Sequence, residues 1–265
     1  MRTHALRLLL ALLVVSVGIG LLSAKPVPAP GEKKEQPKDE KSAFKPVDVN
    51  ADLLATDEQD PKLNRPSKKY TIKLQKDKTY IIDLVSKDFD AYLRLLDKGG
   101  NQLAEDDDSG GDLNSRIIHS ATKDEDHQIV VTTFNGEVGK FNLTVREFVI
   151  KGEAKARDVG KDGISITANI NQNDKTPIGK LGQVYSVTLK KGESYTFDLE
   201  SATMDSYLYV FNSKAKLLAQ DDDSGGGLNS RITLRAEEDG VFQIIATTLD
   251  GDETGEFTLE PVMHL

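Results

Sequence analysis

The fifteen residues LAEDDDSGGDLNSRI at Leu103–Ile117 return as LAQDDDSGGGLNSRI at Leu218–Ile232. Thirteen positions are identical; Glu105 is replaced by Gln220 and Asp112 by Gly227. The period of 115 residues is too long for a solenoid unit and suits a whole domain. Whatever fold one copy adopts, the other must adopt too. The chain of 265 residues is therefore held to two like domains of roughly 100 residues, each able to bury one modest core.

The pattern around the repeat names the fold class. Tyr70, Ile72 and Leu74 alternate with Thr71 and Lys73, and Tyr80, Ile82 and Leu84 follow with the same period. Leu93 and Leu95, Val130 with Thr132, and Phe141, Leu143 and Val145 continue it. Period-two runs separated by Gly, Asp, Asn and Lys-Gly turns are half-buried strands, and no stretch after the N-terminus keeps a helical period. Tyr185, Val187 and Leu189, then Tyr195, Phe197 and Leu199, repeat the plan 115 residues on. Phe257 and Leu259 answer Phe141 and Leu143 after one inserted residue near Asp252. The expectation is an all-β chain of two tandem jelly-roll-like antiparallel β-sandwich domains at 47–148 and 162–263, joined by a connector at 149–161.

Arg2, His4 and Arg7 precede an apolar run at Leu8–Leu22, and Ser23-Ala24 offers a small-residue cleavage site. That is the layout of a signal peptide at 1–24, directing the chain to the periplasm or the outside of the cell. If uncleaved, it would serve as an anchor; after cleavage no membrane span is expected. Residues 25–46 hold five prolines among alternating Lys and Glu and read as a disordered tether.

Cysteine is absent, which excludes disulfides, thiolate zinc sites and cysteine catalysis. With 34 basic against 43 acidic residues, the chain carries a net charge of −9 and is unsuited to nucleic acid or anionic lipid.

The succession YTIKL, YIIDLVSKDFDAYLRLLD, LAEDDDSGGDLNSRI, IVVTT and GKFNLTV resembles the bacterial pre-peptidase C-terminal domain. The Asp-x-Tyr-Leu steps at Asp90–Leu93 and Asp205–Leu208 carry the resemblance into both copies. It implies a secreted β-sandwich module of the kind that flanks exported proteases, and similar collagen-binding modules include calcium binders. No enzyme domain stands beside the repeats in this sequence, so an appendage to a catalytic domain is not the role expected here.

Two expectations attach to the repeated acidic turn. Calcium takes six to eight oxygen ligands, and Asp106, Asp107, Asp108, Asn114 and Asp90 could supply them in the first copy. Asp205, Asp221, Asp222, Asp223 and Asn229 match them in the second. The spacing is not that of an EF-hand. The other expectation is a structural turn, in which one Asp caps the loop and Arg116 pairs with another to brace it against the sandwich.

No catalytic set assembles. Ser109 and Ser224 lack the strand–elbow–helix setting of a hydrolase nucleophile. His119 and His127 have no counterparts in the second copy, where Leu234 and Phe242 stand, and read as strand-surface histidines. Tyr92 and Tyr207 read as sandwich residues with hydrogen-bonded hydroxyls rather than as a ligand platform. The chain is expected to be a non-catalytic binding or accessory protein for a protein, matrix or envelope component, or else a calcium-stabilised structural or adhesion module.

Overall fold

The computed structural model describes residues 44–149, 157–158 and 165–264. The expected leader and the tether up to residue 43 lie outside the described residues. Strands account for the regular structure, and there is no helix among the described residues.

Eight strands build the first module: β1 (Val47–Leu53), β4 (Lys68–Leu74), β5 (Thr79–Ser86), β6 (Ala91–Leu96), β7 (Gln102–Asp106), β8 (Ser115–Ser120), β9 (Glu125–Thr133) and β10 (Gly139–Phe148). They form two four-stranded antiparallel sheets ordered β1-β10-β5-β8 and β4-β9-β6-β7. Counting only these eight, the first, eighth, third and sixth strands share one sheet and the second, seventh, fourth and fifth the other. That is the jelly-roll order. A hairpin of two-residue strands, β2 (Gln59–Asp60) and β3 (Arg65–Pro66), interrupts the connection from β1 to β4.

The second module repeats this with β12 (Ile166–Ile170), β13 (Gly182–Leu189), β14 (Ser194–Glu200), β15 (Ser206–Phe211), β16 (Leu217–Asp221), β17 (Ser230–Arg235), β18 (Gly240–Thr248) and β19 (Gly255–His264). Its sheets run β12-β19-β14-β17 and β11-β13-β18-β15-β16. The added edge strand β11 (Arg157–Asp158) lies within the stretch expected as connector and pairs parallel with β13.

Alternation does the folding work within each module. In β10 the burial pattern is strictly periodic over Phe141, Leu143 and Val145, which meet Leu53, Leu74, Ile82 and Leu93 in the first core. Tyr185, Phe197, Leu208 and Phe257 are among the residues that make the second. Slipping any of these strands by one residue would turn its apolar set to the solvent.

A third apolar cluster lies between the modules. Ile81, Ile118 and Phe148 leave the first module on the outer face of sheet β1-β10-β5-β8. Ile178, Tyr207, Tyr209, Phe211 and Ile245 receive them from the second. Phe148 and Phe211 stand 4.7 Å apart, centroid to centroid. Polar contacts rim the cluster. Thr79 Oγ1 donates to the Ala215 carbonyl at 2.7 Å, and the Leu217 amide donates to Ser120 Oγ at 3.0 Å. Arg146 Nη2 donates to the Ile178 carbonyl at 3.0 Å. Phe44–Leu265 accordingly forms one compact unit. The strands at this contact are buried on both faces: β15 is buried at all six positions, and β5 at its first four. Strands covered on both sides read as continuous apolar runs.

Candidate functional site

The repeated turn carries the chain from one sheet to the other, from β7 to β8 and again from β16 to β17. Its first aspartate pins the crossing. Asp106 Oδ2 accepts the amides of Ser109 at 3.1 Å and Arg116 at 2.7 Å. Asp221 Oδ2 accepts those of Ser224 and Arg231 at the same two distances. The first glycine is required by space: a Cβ on Gly110 would stand 2.5 Å from the Asn114 carbonyl oxygen, and one on Gly225 2.7 Å from that of Asn229. Asn114 Oδ1 accepts the Ser86 amide at 3.0 Å, stitching the turn to the end of β5, and its Nδ2 donates to the Gly111 carbonyl at 2.8 Å. Asn229 Oδ1 takes the Ser201 amide in the same way, at 3.1 Å.

The arginine braces the sandwich, though not through the acidic triad as the sequence suggested. Arg116 Nε donates to Asp83 Oδ1 at 2.5 Å, directly across the β5–β8 ladder, and Arg231 Nε meets Asp198 Oδ1 at the same distance. Asp83 and Asp198 were missed from sequence. The signal was available: both copies place an Asp between the inward apolar residues of a strand.

The ten candidate ligands thus divide. Within the turn, Asp106 and Asp221 each give Oδ2, and Asn114 and Asn229 each give Oδ1, to backbone amides. Asp222 Oδ1 accepts the Asp223 amide at 2.9 Å. Burial, then the charges of Asp107, Asp250 and Asp222, raises the pKa of Asp108. Asp90 lies near Asp107 and Glu137, and burial together with those charges raises its pKa. Asp205 is raised by burial and then by Glu253, Asp222, Asp250 and Asp223. Among the described residues, no group of three or more His, Cys, Asp or Glu side chains converges as a metal set.

The two copies differ in what lies outside them. The first turn is packed against the second module. Ser109 is buried beside Tyr207, whereas Ser224 is exposed. Gly111, at φ +93°, sits so close to the Asp250 carbonyl that no Cβ could be added, whereas Gly226, at φ +95°, faces open space. Lys180 is buried beside them. Its Nζ lies 5.0 Å from the Tyr207 ring centre and donates to the Leu249 carbonyl at 2.6 Å. Burial brings its pKa down to about 8, with Arg116 adding to the effect and Asp106, Asp250 and Asp108 opposing it. Burial pushes the Asp106 carboxyl up to about 6.

The histidines do structural work. His119 and His127 pack edge to face at 5.7 Å; His127 is 2% exposed, so it is a core residue and not the surface residue expected. Burial, then the neighbouring His127, lowers His119 to about 4. His264 Nε2 lies 2.8 Å from Thr196 Oγ1. Tyr92 donates its hydroxyl to Glu105 at 2.8 Å, and Tyr207 is buried at the module contact; both stand on the outer faces of their strands and not inside the sandwiches as expected.

The bacterial pre-peptidase C-terminal domain family matches residues 182–248. The match runs from β13 through β18 and contains the second acidic turn. No curated protein matches the chain. Among solved structures, a Clostridium perfringens ZmpB structure holding a catalytic domain and two CBM51 domains is 8% identical, with a TM-score of 0.26. That comparison covers 76% of this chain and 34% of the other, so this chain spans about a third of its length. The CUB1-EGF-CUB2 domain of human MASP-1/3 is 12% identical over 82% of this chain and 99% of that one, at a TM-score of 0.22. The tandem CBM22 domain of Paenibacillus barcinonensis Xyn10C is 10% identical over 82% and 92%, at 0.24. With scores this low, none of these likenesses bears on function.

Proposed function

We propose that this chain is an exported, non-catalytic accessory protein whose two modules are both of the pre-peptidase C-terminal kind. It would present a rigid surface to a protein, matrix or envelope component. The first module joins the reading through its shared motif and the same order of eight strands. One observation carries the non-catalytic part: the most distinctive residues of the chain are spent on holding the turn. A carboxylate that caps two amides, an amide that stitches two strands and an arginine paired across a ladder leave no nucleophile–base set in the motif. The N-terminal layout, together with the likeness of residues 182–248 to a family of bacterial, often extracellular modules, supports export.

The full chain should turn over no generic peptide, ester or glycoside substrate, and should bind saturably to an envelope or matrix fraction. Turnover that stays in constant ratio to the protein through successive columns would overturn the first half. Failure to bind either fraction would overturn the second. The turn needs no cation in this reading. Chelator and calcium should give the same melting midpoint, and a midpoint raised by calcium would refute that, since a ligand bound to the native state stabilises it by mass action.

A further inference from the structure

The contact between the modules joins unlike faces, the outer face of the first sheet of module one and the outer face of the second sheet of module two. A contact of this heterologous type does not close on itself. Each module keeps a counterpart of the face its partner used, and both could in principle take another module. Their side chains have been changed at the positions that make the contact.

On module two, Thr196 and Thr233 stand where module one has Ile81 and Ile118. His264 stands at the register of Phe148, opposite Ser194 as Phe148 is opposite Thr79. The three polar side chains satisfy one another, with Thr196 Oγ1 2.8 Å from both Thr233 Oγ1 and His264 Nε2. On module one, Arg94 and Leu96 stand where module two has Tyr209 and Phe211. That face is also plugged. The hairpin β2–β3 lays Asp60 onto it, where Asp60 Oδ2 takes Arg94 Nη1 at 2.5 Å with side-chain exposures of 1% and 9%. Gln102 accepts Arg94 Nε at 2.9 Å, and Lys62 pairs with Glu105.

We propose that the molecule is a terminated stack. Its two free sheet faces are disabled versions of the faces that join the modules, one by a hydroxyl–imidazole network and one by a plug of its own chain. Neither a second copy of this chain nor a further module of the same kind adds there. Burying the hydroxyl–imidazole set against an apolar face would strip hydrogen-bonding groups of water without new partners, and on module one the Asp60–Arg94 pair already covers the strand. The partner of the accessory role must use edges and loops instead.

The test is a gain of function in the full chain. One variant, T196I/T233I/H264F, restores the apolar contact on module two. The other, D60S/R94Y/L96F, removes the buried ion pair that seats the hairpin and restores the aromatic face on module one. Asp60 and Arg94 are changed together so that no buried charge is left unpaired. By sedimentation velocity the wild type should be monomeric at every concentration, each variant alone should be a folded monomer, and an equimolar mixture should double in mass. A wild type that self-associates, or a mixture of folded variants that stays monomeric, would overturn the proposal. A variant that associates with itself would do so too, because it would mean non-specific adhesion. The wild-type measurement decides independently of whether the variants fold.

Discussion

His119 and Asp106 are both half-buried ionisable groups, and they respond to acid in opposite directions. The folded pKa of His119 lies near 4, below its ordinary 6.5. As pH falls through that interval the unfolded chain takes the proton first, and stability is lost. Asp106 titrates near 6, above its ordinary 3.8, so the folded chain takes the proton first and stability is gained over the same interval. Each effect is on the order of 2–3 kcal/mol by linkage, so they largely cancel. His119→Leu, which copies Leu234 of the second module, should melt progressively higher than wild type as pH drops from about 6.5 to about 4. Asp106→Asn should melt progressively lower than wild type over about pH 6 to 4. Parallel melting curves for all three proteins across that range would refute the assignment.

At the scale of elements, the turn offers a comparison of like with like. Gly111 and Gly226 share a left-handed backbone but differ in surroundings. Alanine at either position pays the positive-φ strain, about 1 kcal/mol. Alanine at Gly111 must also push away the Asp250 carbonyl, adding about 1–3 kcal/mol of overpacking. Urea titration should therefore show Gly111→Ala clearly less stable than Gly226→Ala; equal losses would mean the turn is not docked. Strands and turns were legible in the sequence because alternation and Gly-Gly chemistry act locally. Asp106 as a cap was half legible: an Asp followed by Ser-Gly-Gly announces a turn, but which of three adjacent carboxylates faces the amides depends on where β8 begins. The pairing of Arg116 with Asp83 was hidden because the partners lie 33 residues apart and meet only once β5 and β8 are in register. The contact between modules left a trace in SYLYVF, apolar on both faces where the first copy has AYLRLL. A strand apolar on both faces says that something covers it without saying what.

The two modules should behave as one cooperative unit, since the residues of the cluster between them are as buried as those of a core. Calorimetry should give a single transition with equal calorimetric and van't Hoff enthalpies. Ile81→Thr/Ile118→Thr writes the polar face of module two onto module one and removes about 1.5–3 kcal/mol of apolar burial per site. It should split the melt into two transitions, one per module. A single transition in that variant would show that the modules are coupled by something other than this contact.

Because the two faces belong to one polypeptide, their meeting is a first-order event that dilution cannot disturb. The covalent link supplies an effective concentration in the millimolar range for a short tether, so even a modest contact stays shut. A protease cut between Val149 and Ile166 would leave the apolar cluster between the modules in place and yet change the kind of equilibrium that governs it. The halves would then part on dilution, making the bond between two residues the difference between a permanent assembly and a reversible one.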